Sequence, residues 1–445
     1  MFTGMASRSQ ETRLSPTIVV RPAGTVTADA PGVNHAEPWL VVDPRDASHA
    51  IAVSLADGGG QSVAYTTFDG GHSWRRATHS ALEQSFPGGD PIAAFADEGT
   101  ALFATINPFR VWRSRDGGLT WQGPAIVPGR SYDREYLAVR PAPNASDTVY
   151  ALAKTPIRVF GHRASDGLAL ARSTDGGTTF EAPRLMLPDP TTSIIHVPGG
   201  LLVAPNGDLL ASFMAHDAPV TDPATIKNHI WVLRSTDGGR TFNEPVAAAA
   251  SVVYGNKGDE LKMLKSLAVA RLVMDTASAS PYRGRLYVAF LTAVDDRLQV
   301  MVVASSDTGR TWGSPVTVND DVGKANHSTP QIAVNDRGVV AVTWNDRRAD
   351  PDDLCFRATV SASVDGGVTF LTSVPLDTAS VCPLGKNPGR PLQLEGFTGR
   401  YVQGGETQGL AGLPSGKFLT VFVSGGRTMQ LRSAVIEISD DRRRR

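Results

Sequence analysis

The sequence predicts an all-β fold: a single β-propeller of four-stranded antiparallel blades, seven blades favoured and six the alternative. Three observations predict it. One octapeptide pattern recurs six times, a pair of short apolar strands around a turn recurs seven times, and neither a helical period of useful length nor a linker interrupts the series. Gly 44 and Pro 30 in 445 residues supply the turns that so many short strands require.

The octapeptides are TFDGGHSW (67–74), SRDGGLTW (114–121), STDGGTTF (173–180), STDGGRTF (235–242), SSDTGRTW (305–312) and SVDGGVTF (363–370). Their aspartates, Asp69, Asp116, Asp175, Asp237, Asp307 and Asp365, are spaced by 47, 59, 62, 70 and 58 residues. An aspartate here accepts hydrogen bonds from the N–H groups of its own turn. The glycine two residues on permits positive φ, and the terminal Trp or Phe anchors the turn by burying its ring. Six equivalent copies cannot all be one active site, so the box is read as a structural hairpin lock.

The strand pairs lie at 39–55, 92–106, 136–153, 200–214, 267–291, 332–344 and 409–423. Each of the first six leads to a third strand, a box and a fourth strand. The seventh leads to a third strand at 429–438, after which PTIVVRP (16–22) is expected to supply the missing fourth and close the ring. The domain layout expected is a disordered extension at 1–15, the propeller at 16–438 and a charged tail at 439–445.

Composition excludes several function classes. A formal net charge of −1 offers no global field for collecting phosphates, so no nucleic-acid partner is expected. No apolar run approaches the roughly 20 residues that span a bilayer, so membrane insertion is not expected. A monomer is expected. No signal peptide is visible in MFTGMASRSQETRLSP. Cys355 and Cys382 are the only cysteines, and the sequence leaves open whether they are bonded or two inert thiols.

The box Ser/Thr-x-Asp-x-Gly-x-Thr/Ser-Trp/Phe is that of the Asp-box, or BNR, repeat. Over about 37–437 the chain resembles the sialidase-like superfamily of β-propellers. The resemblance implies a carbohydrate ligand at one mouth of the central channel and favours export. Sialidases clamp the substrate carboxylate with three arginines and use a tyrosine–glutamate nucleophile with an aspartate acid/base. Their Arg-Ile-Pro motif is absent: the region 16–60 offers only Val20-Arg21-Pro22. No sialidase catalytic residue is therefore carried over, although Tyr132, Tyr136, Tyr254 and Tyr401 are available.

If the boxes join third to fourth strands, the opposite face carries the start of each inner strand and the end of each second strand. Polar residues gather at those places: Glu37, Asp90, Asp133-Arg134-Glu135, His196, Lys262, Lys265, His327 and Glu406 at the starts, and Lys154, His216-Asp217 and Asn345 to Arg348 among the ends. Loops are polar everywhere, but charges beside the crowded axis are costly unless paired or used. The expected catalytic residues are Asp90, Glu135, His327 and Glu406, one of the acids being the proton donor. The expected substrate-binding residues are Arg134, Asp346, Arg347, Arg348, Arg400 and Tyr401, with Arg134 and Arg348 as a carboxylate clamp. Asp90, Glu135, His327, Arg347 and Glu406 are expected in one pocket. No cofactor and no metal are expected. The aspartates of NDRRADPDD (345–353) offer oxygen ligands for a structural calcium, but a loop neutralised by its own arginines is the preferred reading.

The function read from these observations is a glycoside hydrolase acting on an acidic glycan. A non-catalytic glycan- or protein-binding propeller is the alternative, and a uronate-glycan lyase using histidine, tyrosine and arginine is the second.

Overall fold

In the computed structural model, residues 16–439 are described, apart from 58–59, 80–82, 97–98, 130, 143–144, 160–161, 188–193, 218–224, 255–268, 324, 383–398 and 426–427. Seven antiparallel four-stranded blades succeed one another along the chain. Their inner strands are His35–Asp43, Gly89–Phe95, Asp133–Arg140, Ile194–Val203, Arg271–Met274, His327–Val334 and Gly409–Gly412, for blades 1 to 7. Each inner strand packs against those of the two neighbouring blades, and the seventh packs against the first. The seven-blade reading holds, and the six-blade alternative falls.

The core is divided among the blade interfaces. Among the described residues, seven apolar clusters occur, one between each adjacent pair of blades. Between blades 1 and 2, Phe86, Phe103, Trp112 and Trp121 meet edge to face. Between blades 5 and 6, Tyr287, Ile332 and Trp344 pack together. A blade buried on both faces needs apolar residues pointing both ways. That is why second strands such as Ala101–Ile106 read as nearly unbroken apolar runs.

Ring closure occurs at the predicted place. Thr17–Thr25 pairs antiparallel with Gln430–Ser439, from Thr17↔Ser439 to Thr25↔Arg432, and completes blade 7. Arg21 therefore lies on the outer edge of that blade, 64% exposed and 3.4 Å from Glu437. It is far too peripheral to serve as a channel arginine.

All six boxes adopt one geometry. In the fourth, the Ser235 hydroxyl donates to Asp237 Oδ1 at 2.8 Å and accepts from the Gly239 N–H at 2.8 Å. Asp237 Oδ1 also accepts from the Thr241 N–H at 2.9 Å, and its Oδ2 from the Thr241 hydroxyl at 2.6 Å. The second glycine takes φ between 79° and 93° in every box. The terminal rings are less buried than expected: only Trp121 is fully buried, and the others are half-buried at the rims of the interface clusters. Cys355 and Cys382 form a disulfide with Cα atoms 4.1 Å apart. Among the described residues, no helix is long and apolar enough to cross a membrane.

Candidate active site at the channel mouth

Four inner strands begin with the same irregularity. The pairing with the second strand shifts between Ala36 and Trp39, Gly89 and Ile92, Asp133 and Tyr136, and Ser328 and Gln331. These are β-bulges, which re-aim a side chain out of the ladder. The first residue skipped has left-handed φ each time: Glu37 (55°), Asp90 (49°), Arg134 (56°) and Thr329 (54°). Non-glycine residues hold such angles only when the surroundings enforce them, and such strain clusters at functional sites. The second skipped residue is Pro38, Pro91 and Pro330 in three blades. In blade 3 it is Glu135.

The bulges of blades 1 to 3 converge with the segment before blade 7. Glu37, Trp39, Asp90, Pro91, Ile92, Arg134, Glu135, Tyr136, Glu406 and Thr407 line a small, tightly packed cleft. Arg134 Nη2 meets Glu406 Oε2 at 2.7 Å, both side chains being almost buried. The Arg134 N–H donates to Asp90 Oδ2 at 3.2 Å and the Glu406 N–H to Glu37 Oε1 at 3.3 Å. Gly405, at φ 81°, lets this segment reach Glu37: a Cβ there would lie 2.0 Å from Glu37 Cγ.

Beneath the cleft, Arg271 of blade 5 is buried. It donates to the Tyr136 hydroxyl and, at 2.6 Å, to the Glu406 carbonyl. Its guanidinium lies 5.9 Å from the Trp39 ring centroid and 5.8 Å from that of Tyr136. Below it the channel is lined mainly by apolar residues of the inner strands, including Leu40, Ala94, Leu137 and Leu410.

Glu135 is the unusual group. It is 2% exposed, and neither carboxyl oxygen has a hydrogen-bond partner. Burial pushes its pKa well above the usual carboxylate range, and Asp90, Asp133 and Glu37 push it further. Burial likewise raises Tyr136, so its phenol stays protonated.

The expected five-residue pocket divides. Asp90, Glu135 and Glu406 share the cleft with Arg134. His327 and Arg347 do not line it and belong to a separate buried network on blade 6. His327, fully buried, pairs with Asp321 at 2.9 Å. Arg347, fully buried, donates to Ser328 and Gln403 at 2.9 and 2.8 Å, and burial lowers its pKa to about 10. Arg348 is held by Asp346 and Asp320 at 2.8 and 2.7 Å. Asp346 also accepts from the Trp344 indole at 2.9 Å. The expected Arg134–Arg348 clamp is thus split between two places, because each guanidinium sits beside the chain's own carboxylates.

Tyr401 packs at the edge of the apolar cluster between blades 7 and 1. The Arg400 side chain, Lys262 and Lys265 lie outside the described residues. In the 345–353 loop, Asp350 accepts the Leu354 and Cys355 N–H groups and Asp353 accepts from Asn326. His196 is buried and bonded to the Asp166 carbonyl at 2.7 Å. Trp39, Arg271 and Thr407 were not singled out from sequence. One signal was available for Glu135: it breaks the proline pattern before the inner strands.

No family model matches the chain, and no curated protein does. Solved structures of similar fold include a protein of unknown function from Dyadobacter fermentans DSM 18053, at 13% identity, covering 95% of this chain and 98% of that one with a TM-score of 0.47. An α-L-arabinofuranosidase from Fusarium graminearum is 11% identical over 79% of this chain and 98% of that one, TM-score 0.47. An ulvan lyase of a polysaccharide lyase family is 12% identical over 93% and 97%, TM-score 0.48. The likeness is one of overall fold.

Proposed function

We propose that the protein is a glycoside hydrolase working at the cleft between blades 1, 2, 3 and 7. The observation that carries this reading is Glu135, a buried carboxyl without a partner, among carboxylates of a strained and exactingly packed site. Hydrolysis of a glycosidic bond needs one carboxyl group kept protonated to donate to the leaving oxygen, and a second, ionised one as nucleophile or base. Glu135 suits the first role, since burial and neighbouring charge raise its pKa well above the usual carboxylate range. Asp90 suits the second: it faces the same cleft, and its charge is among the causes that raise Glu135. Glu406 and Arg134 hold each other and support the wall. The Asp boxes, the disulfide and the blade 6 network are scaffold in this reading.

The test is turnover of a panel of oligosaccharides by purified protein, followed by reducing-end release and by absorbance of unsaturated product. Reducing ends without absorbance, lost in Glu135→Gln and Asp90→Asn variants that remain folded, support the hydrolase. Unsaturated product means a lyase. Glycan affinity without turnover means a binding module.

A further inference from the structure

We propose that the central channel below Arg271 is a second ligand site, entered from the face that carries the Asp boxes. It takes the C-terminal end of an extended peptide, with the terminal carboxylate on Arg271. This site is independent of the chemistry at the cleft above it.

The first argument is room. The channel offers a space of about 480 Å³, which is within the range of small-ligand sites. It runs along the inner strands, from Trp39, Tyr136 and Arg271 at its head to Pro44, Val139 and Val203 at its foot. Five strand residues span about 16 Å, the length of an extended peptide of about four residues with its termini. Arg271 reaches from blade 5 to Tyr136 of blade 3 and so crosses the axis at the head, which places entry at the foot.

The second argument is the head of the channel, where polar groups lack partners. Arg271 is 3% exposed; its two Nη atoms donate to the Tyr136 hydroxyl and the Glu406 carbonyl, and its Nε is buried without an acceptor. Among the described residues, none of its contacts is a carboxylate. A guanidinium taken out of water with no counter-charge in contact is costly, and a ligand anion offsets that cost. The Trp39 indole N–H, in the ring beside Arg271, is also buried without an acceptor. Gln331 of blade 6 lines the same space at 7% exposure, and its amide has no hydrogen bond among the described residues. Donors from blades 5, 1 and 6 thus stand together where a carboxylate, which accepts several N–H bonds, would be held.

The third argument is the wall. Among the described residues, six of the seven inner strands end their sheets. Each therefore turns unpaired N–H and C=O groups toward the axis. Between those rows stand Leu40, Ala94, Leu137, Leu201, Ile332 and Leu410. A purely apolar chain would strip the backbone groups of water and give no bond in return. A bare anion would leave the apolar surface uncovered. An extended peptide brings backbone donors and acceptors for the strand edges, side chains for the apolar surface and a terminal carboxylate for the head.

The experiment uses the full-length protein and equilibrium ultrafiltration read by mass spectrometry. The probes are a pool of N-acetylated tetrapeptides built from alanine, valine, leucine and serine, offered as free acids and as C-terminal amides. Decanoate and glucuronate serve as other carboxylates. Retention of free acids at least about tenfold above the matching amides supports the proposal. Ala94→Trp, which narrows the channel and leaves Arg271 in place, should abolish that retention, as should Arg271→Gln. Glu135→Gln should leave it unchanged. Equal retention of acids and amides overturns the proposal, and so does retention that survives Ala94→Trp or is lost in Glu135→Gln. Decanoate or glucuronate retained without any peptide assigns the channel a different anion and overturns the peptide. No retention of any probe overturns the site. The acid-to-amide ratio is read on wild type, so it decides even where a variant does not fold.

Discussion

Arg134 and Glu406 meet at 2.7 Å across the channel mouth, one from the inner strand of blade 3 and the other from the segment entering blade 7. Arg271 of blade 5 adds a hydrogen bond to the Glu406 carbonyl and one to Tyr136 of blade 3. Three non-adjacent blades are thereby tied at the axis, where sheet hydrogen bonds cannot reach. The tie fixes one wall of the cleft and leaves Glu135 beside it as the carboxyl without a partner.

Glu135 should govern stability in a known direction. Its folded pKa is raised above the unfolded value of about 4.5, so the fold is favoured by the protonated form. That contribution is fully present below about pH 4.5 and is lost as pH rises through the folded pKa. Glu135→Gln, which mimics the protonated acid, should match wild type in melting temperature near pH 4 and exceed it at pH 8. Parallel melting curves at both pH values would mean that Glu135 is not buried in its charged state.

The box aspartates carry the opposite sign. Hydrogen bonds from the turn hold Asp69, Asp175 and Asp307 down to about 2, against burial that raises them. Their stabilisation is present above about pH 3.8 and disappears as pH falls through 2. Asp175→Ala should cost about 1–3 kcal/mol in denaturant titration through lost turn hydrogen bonds. Turnover per folded molecule should not change. A folded variant with selectively reduced turnover would show that the box does more than lock a hairpin.

Thr308 sits at φ 62° where the other five boxes have glycine at 68–76°. A β-branched residue is strained there, so Thr308→Gly should stabilise the protein by up to about 1 kcal/mol after the greater chain entropy of glycine is subtracted. A lower melting temperature for this variant would mean that the threonine side chain contributes packing that outweighs the strain.

Removal of residues 1–24 should lower the melting temperature by several degrees and promote association, because Gln430–Ser439 would become an open edge. An unchanged melting curve would contradict the closure seen between Thr17–Thr25 and Gln430–Ser439.

What the sequence determined by itself is whatever is written locally. Each box closes within seven residues, from Ser173 to Asp175 to Thr179 in the third, so its motif specifies its geometry. Repetition of box and strand pair then counts the blades, and an unfilled outer position in blade 7 points to the N-terminal strand. The cleft is different in kind. It joins residues 37, 90, 134–136 and 406, and the sequence marked several as polar starts of inner strands without showing which of them meet. His327, Arg347 and Glu135 looked alike as polar residues beside the axis. Only the ring's closure and the bulge register sent Glu135 into the cleft unpaired, while His327 was drawn to Asp321 and Arg347 to Ser328 and Gln403. Partner choice among charges depends on distances set by blades far apart in sequence, and that is a property of the packed ring.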